Sequence, residues 1–257
     1  MTACEDLDPS RVLVAGDWHG NTDRAVNAVS WAKKHDCQAI LHVGDFAYSF
    51  APSFLLLLTE ALERAGIVLG FVPGNHDDWR KLDAWQAQHG VTAIPVRPNI
   101  FYLPRTYRWT WSGVRFLAMG GAVSVDKKWR TPGTEWWPRE TIDWHEAQKA
   151  CDDGPADIMI CHDAPAGIRI PCIEGNPYGF PEDTLVEADQ HRQLLRQIVD
   201  HVQPQRLFAG HYHTRLTVPL DDIQLGYRTW VDILDADFAP IRQNVTVLNL
   251  DDLGART

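Results

Sequence analysis

The sequence predicts an α/β fold in which two mixed β-sheets pack face to face with helices on their outer surfaces. Three observations carry that expectation. The first half of the chain alternates short apolar runs with segments of helical spacing, the second half is richer in strands, and turn residues punctuate the two kinds of segment. With 257 residues, 45% of them hydrophobic and 23% charged, the chain has enough apolar material for one large core under a solvated surface, so residues 1–257 read as one domain.

Arg11 to Gly16, Ala39 to Gly44 and Ile67 to Pro73 are apolar runs that read as buried strands. Between them, Asn21 to His35 places Ala25, Val29 and Ala32 on one helical face. Ser53 to Ala65 follows Pro52 and stops at Gly66, which suits a helix start and stop. Tyr107, Trp109 and Trp111 alternate with Arg108 and Thr110, a Ser112-Gly113 turn follows, and Val114 to Met119 is apolar again, which predicts a β-hairpin. A loop rich in Trp, Lys and Arg spans Val123 to Pro138. Glu140 to Ala150 reads as a helix, and Asp157 to Cys161 as a strand. Leu185 to Val202 is a helix with Leu194, Leu195, Ile198, Val199 and Val202 on one face, opened by a Thr184/Glu187 capping box and ended by Pro204. Arg206 to Ala209 is a further strand, and the tail from Gln224 to Leu250 holds two or three more.

The net charge of −10 argues against a broad basic face for coating nucleic acid, and no stable nucleic-acid partner is expected. A small anionic substrate stays compatible, because bound cations reverse the field of a cleft locally. The five cysteines, Cys4, Cys37, Cys151, Cys161 and Cys172, are odd in number and lack C-x-x-C spacing, which argues against a disulfide framework or zinc knuckle. Met1 to Ser10 has no basic start or apolar core of a signal peptide, and the longest apolar run, Phe54 to Leu58, is far too short to span a bilayer. The expectation is a cytoplasmic protein without membrane attachment, a monomer or a homodimer.

Five short motifs stand where an apolar strand ends and a polar loop begins: Asp17-Trp18-His19, Gly44-Asp45, Gly74-Asn75-His76-Asp77, His162-Asp163 and Gly210-His211-Tyr212-His213. Each alone describes an ordinary polar turn. All of them in this order place carboxylate, amide and imidazole groups at strand ends, where ligands of α/β sheets gather. That donor set suits manganese, iron or zinc. The groups are too many for one ion, but with Asp45 shared they make two four-ligand shells, and a cation pair about 3.5–4 Å apart is the recurring device for displacing groups at phosphorus. The glycines at 44, 74 and 210 would let the backbone turn sharply beside the ions.

This motif set, over roughly residues 11 to 215, resembles that of the calcineurin-like metallophosphoesterase superfamily. The resemblance implies an αββα sandwich and a dinuclear hydrolase that uses a bridging hydroxide as nucleophile. Asp17, His19, Asp45 and His213 would hold one ion, and Asp45, Asn75, His162 and His211 the other, with manganese preferred over iron or zinc. His76 matches the histidine near the leaving oxygen, where as imidazolium it would donate a proton or stabilise developing charge. Asp77 is the candidate to orient it, an exposed loop carboxylate being the alternative.

One branch of the superfamily, the phosphoprotein phosphatases, continues the second motif as Gly-Asp-x-x-Asp-Arg and has Arg before Gly-Asn-His. Here Gly44-Asp45 is followed by Phe46-Ala47-Tyr48-Ser49, and Pro73 precedes Gly74. The arginine that grips a phosphate dianion is missing, so the expectation is a phosphodiesterase of cyclic nucleotides or other small diesters. A phosphomonoesterase, a single-strand nuclease and a metal-binding interaction scaffold are the competing readings. Tyr48, Lys127, Arg130 and Tyr178 are the candidate substrate contacts. His35, His42, His89, His145, His191 and His201 read as structural, and Cys161 as a buried thiol.

Overall fold

The computed structural model describes residues 7–253; Cys4 and the first residues of the acidic N-terminus lie outside them. One sheet contains β1 (Arg11–Ala15), β2 (Ala39–His42), β3 (Val68–Phe71), β4 (Ile94–Arg97), β5 (Ile100–Tyr102) and β12 (Val245–Asn249), in the order β12-β1-β2-β3-β5-β4. The other contains β6 (Arg108–Trp111), β7 (Val114–Met119), β8 (Ile158–Cys161), β9 (Arg206–Ala209), β10 (Leu216–Asp222) and β11 (Tyr227–Ile233), in the order β10-β11-β9-β8-β7-β6. Both are mixed: β1, β2, β3 and β5 run parallel with antiparallel strands at the edges, and β7, β8, β9 and β11 do the same in the second sheet.

The central strands are apolar on both faces because each face is covered. Val12 and Val14 of β1 enter the interior between the sheets with Phe116, Ile160 and Phe208. Leu13 and Ala15, pointing the other way, pack with α1 (Thr22–Lys34), α2 (Pro52–Ala65) and α3 (Trp79–His89). On the second sheet Ile158 and Ile160 face the interior, while Met159 and Cys161 lie under α4 (Trp144–Asp152) and α5 (Glu182–Val202). The result is the expected four-layer sandwich. The Ser112-Gly113 turn has φ of 47° and 73°, the left-handed pair that a two-residue hairpin needs.

Several local expectations change. Helix α5 begins at Glu182 behind Pro181, so Thr184 lies inside its first turn; its hydroxyl donates to the carbonyls of Pro181 and Val125 and no Thr184/Glu187 capping box forms. Helix α4 starts at Trp144, not Glu140, because the reciprocal cap is Asp143 with Glu146. Helix α3 and strands β4 and β5 were not legible: α3 buries only Trp79 and Leu82 and so carries a weak periodic signal. The edge strand β10 precedes the predicted strand-rich tail, which itself holds β11 and β12.

Arg105, just past β5, ties these layers together. Buried to 2% exposure, its Nε lies 2.8 Å from Glu146 of α4, its guanidinium is 4.5 Å over the Trp79 ring of α3, and its Nη2 donates to the carbonyl of Arg139 at 2.9 Å. Arg105→Ala removes a buried cation and leaves Glu146 with Arg139, 2.6 Å away, as its counter-charge, and is expected to cost about 3–5 kcal/mol. Urea unfolding checks this; a loss below about 1 kcal/mol would place the pair with weak surface ion pairs instead.

Candidate metal centre

The parallel strands of both sheets end at one edge of the sandwich, and the loops that follow them bring the motif residues together. Asp45, after β2, is at the middle. Its Oδ2 lies 3.4 Å from His19 Nε2, and its Oδ1 lies 3.4 Å from His162 Nε2 and accepts the His76 backbone N–H at 2.9 Å. Asp17 Oδ2 accepts the His211 N–H at 2.8 Å and is 4.0 Å from His213 Nε2. Two groups of ligand atoms result, His19/Asp45/His213 and Asp17/Asp45/His162, each within 4.8 Å and sharing Asp45.

These atoms fit cations better than one another. His162 Nδ1 donates to the Val43 carbonyl at 2.8 Å, so in the neutral ring Nε2 carries the lone pair, yet it faces Asn75 Oδ1 at 3.1 Å and Asp45 Oδ1. Asp17 Oδ1 is buried without a hydrogen-bond partner. Acceptors aimed at acceptors need a proton or a metal ion between them. In the metal-free chain protons take that place: burial opposes charging His19 and His162, but Asp45 and Asp17 outweigh it and raise them to about 9 and about 10. Burial pushes Asp17 up despite the pull of His162, and pulls His211 down to about 3 with His162 adding to the fall.

The backbone is bent toward this cluster. Asp17, His19, Asp45, His211 and His213 all have left-handed φ, between 44° and 67°. Each costs roughly 1–2 kcal/mol for a residue with a side chain, which concentrates strain on the ligand loops. Of the three motif glycines only Gly44 needs a positive φ, at 98°. Gly74 and Gly210 are there for close approach instead of a sharp turn: a Cβ on Gly74 would lie 2.1 Å from Asp45 Oδ1, and one on Gly210 would lie 2.3 Å from Asp17 Oδ1.

A second layer of residues fixes which atom each ligand presents. Asn75 Nδ2 donates to Ser124 Oγ at 3.1 Å, and Ser124 is held by Glu140, so the amide oxygen turns inward. His19 Nδ1 lies 3.4 Å from Asp237, on the loop after β11, which leaves Nε2 for Asp45 and an ion. Ser124, Glu140 and Asp237 carry no motif that marks them in the sequence. Asp77 corrects the expectation for it: it is buried and accepts the backbone N–H groups of Phe46, Ala47 and Gly74, so it braces the two loops and is not hydrogen-bonded to His76.

The guanidinium of Arg130 lies against the His76 ring, Nη1 2.5 Å from Nδ1 and Nη2 3.1 Å from Nε2. Burial, with Arg130 adding to it, lowers His76 to about 4 although Asp45 pulls the other way. The resting ring is therefore neutral at neutral pH, not the imidazolium expected. Tyr48 stacks on His19 at 5.4 Å and meets His76 edge-on at 5.3 Å. A cavity of about 650 Å³ opens beside the cluster and reaches Arg130 and Tyr178. Lys127 departs from expectation: it is paired with Glu187, lies over Trp136, and is not among the residues lining this cavity. His191, read as structural, donates from Nδ1 to Asp163, which lines the cavity and also accepts from the Tyr212 hydroxyl. Burial raises the Cys161 thiol, in keeping with a buried, unreactive side chain. Among the described residues no helix is long and apolar enough to cross a membrane.

Residues 10–215 match the family described as calcineurin-like phosphoesterase, a span that holds every candidate ligand and omits Asp237. No curated protein sequence matches the chain significantly. Among solved structures the chain is similar to TT1561 of Thermus thermophilus, with a TM-score of 0.54 and 16% identity over 94% of this chain and 99% of that one. It is also similar to a Danio rerio protein described as a dimetal phosphatase, with a TM-score of 0.58 and 12% identity over 93% and 92% of the two chains. At these identities the likeness establishes the shared fold.

Two outcomes follow from the geometry. Histidines 19 and 162 must lose their protons to ligate, so manganese binding near pH 7.5 is expected to release about two protons and to tighten as pH rises toward 9 to 10. Calorimetry in buffers of different ionisation enthalpy measures this, and a proton-free, pH-independent association would refute it. Gly74→Ala pushes against both the carboxylate and the backbone nitrogen of Asp45 and is expected to weaken manganese binding at least about tenfold. Unchanged affinity would show that the Asp45 loop, backbone included, can move aside.

Proposed function

The chain belongs to the calcineurin-like phosphoesterase family, and from that premise we propose that it hydrolyses small phosphodiesters, cyclic nucleotides among them, with two divalent cations, manganese first. One observation carries the dinuclear reading: the buried Asp45 carboxylate turns one oxygen toward His19 and the other toward His162. Asp17, His19, Asp45 and His213 would hold one ion, and Asp45, Asn75, His162 and His211 the other. When bound, such a pair supplies charge neutralisation for phosphate oxygens and a water made nucleophilic near neutral pH.

The remaining chemistry falls to the chain's own side chains. His76 lines the cavity next to the cluster and, as a neutral ring, offers an N–H to the leaving oxygen. An anionic phosphate arriving beside it would offset Arg130 and favour the charged ring. Arg130 rests its guanidinium on His76, but its Nη2 is already 2.6 Å from Asp126. A cation half-neutralised in this way suits the single charge of a diester better than the two charges of a monoester. Tyr48 flanks His19 and His76 at the rim and would border the scissile group.

Turnover of bis(p-nitrophenyl) phosphate and p-nitrophenyl phosphate with manganese tests the reading, and the diester is expected to be the better substrate. His76→Ala should keep its ions and lose about 10²–10⁴-fold in kcat, most for poor leaving groups. Asp45→Asn should lose both ions and rate. Faster monoester turnover would reject the diester assignment, and equal activity in all three proteins would reject the roles given to Asp45 and His76.

A further inference from the structure

The cavity of about 650 Å³ is larger than a phosphate requires, and its lining is of two kinds. One is the polar set Asp45, Asn75, His76, His211 and His213. The other is an apolar wall that includes Val125, Ile173, Tyr178, Phe180, Leu185 and Ala188. The Tyr178 and Phe180 rings lie 5.7 Å apart, and Phe180 continues to Trp129 at 6.0 Å. Tyr178 and Trp129 are each 65% exposed, an aromatic surface left uncovered beside the site. The loop that carries the two cavity rings is closed on itself: Asn176 Oδ1 accepts the Phe180 N–H and its Nδ2 donates to the Phe180 carbonyl, both at 2.9 Å.

Charge narrows what this wall can take. Among the described residues, the two arginines that line the cavity are committed, Arg130 to Asp126 and Arg192 to the carbonyls of Ala164, Pro165 and Ile168. The carboxylates of Asp126, Asp163 and Asp189 also line it. A second phosphate or an acidic peptide would therefore meet repulsion from these carboxylates and cations already engaged, whereas a flat uncharged ring would meet aromatic faces.

We infer that Tyr178 and Phe180 form a subsite for a neutral heteroaromatic ring, the nucleobase of a nucleotide phosphodiester whose phosphate reaches the Asp45 cluster. The phosphate half rests on the phosphodiesterase reading; the ring half rests on this wall. Adenosine is titrated into chelator-treated protein, so that binding is read without metal or turnover. Saturation-transfer NMR is expected to mark the base protons more strongly than those of the ribose. The dissociation constant should rise about tenfold in Tyr178→Ala and be restored in Tyr178→Phe. No adenosine binding, or equal binding by Tyr178→Ala, overturns the subsite.

In parallel, manganese-loaded protein is assayed on adenosine 3′,5′-cyclic phosphate and on the ribose 3′,5′-cyclic phosphate that lacks the base. A higher kcat/KM for the adenosine compound that falls in Tyr178→Ala supports the subsite. Adenosine binding without hydrolysis of any diester overturns the phosphodiesterase reading and leaves the subsite standing. Diester hydrolysis with no adenosine binding overturns the subsite alone.

Discussion

Asp17 and Asp45 hold their carboxylates almost wholly out of water at the edge of the sandwich, and the architecture of the site answers to that burial. An uncompensated buried carboxylate costs several kcal/mol. Compensation comes from backbone N–H groups of His76 and His211, and from imidazole rings on loops of both sheets. No single element could bring these donors to one point. It takes parallel strands in two stacked sheets, ending at a common edge, and loops bent through left-handed backbone to aim the side chains inward. Glycines 74 and 210 then let the carboxylates lie directly on neighbouring backbone.

The same logic extends one layer out. Each ligand atom is selected by a bond made on its far side: His162 by the Val43 carbonyl, Asn75 by Ser124 and Glu140, and His19 by Asp237. These supports arrive from β2, from the loops after β7, and from the end of β11. Asp77 links the loops of Asp45 and Asn75 through three backbone amides, so two ligands from adjacent strands move as a unit. The folding core and the chemistry are thus joined by buried polar contacts.

Much of this was legible in sequence because the strands are buried on both faces and so appear as unbroken apolar runs, and because the ligands follow them directly. The sandwich, the hairpin at Ser112-Gly113 and the set from Asp17 to His213 could all be read that way. What could not be read had a physical reason. Helix α3 buries too few side chains to show a period, and the start of α5 differs from the expected cap because Thr184 serves a tertiary bond to Val125. Glu140, Ser124 and Asp237 act through long-range contacts that leave no local pattern, and the place of Asp77 depends on a loop packed against it from another strand. Lys127 had the composition of a substrate contact, but its charge is spent on Glu187.

The chain bears a net charge of −10, yet its site must admit an anion. The cavity does not resolve this with spare arginines. Arg130 is shared with Asp126, and Arg192 is turned to backbone carbonyls. Positive potential near Asp45 therefore has to come from what replaces the protons on His19 and His162, and divalent ions supply more of it than two imidazoliums at the same place. On the proposed function, metal binding and anion binding would in this way be one linked event. A distant basic patch would attract any polyanion, nucleic acid included, whereas charge confined between Asp17 and Asp45 is strongest inside the cleft and acts on a group small enough to reach it. That confinement leaves recognition of the rest of the substrate to shape and to aromatic surface, which is where Tyr178 and Phe180 stand.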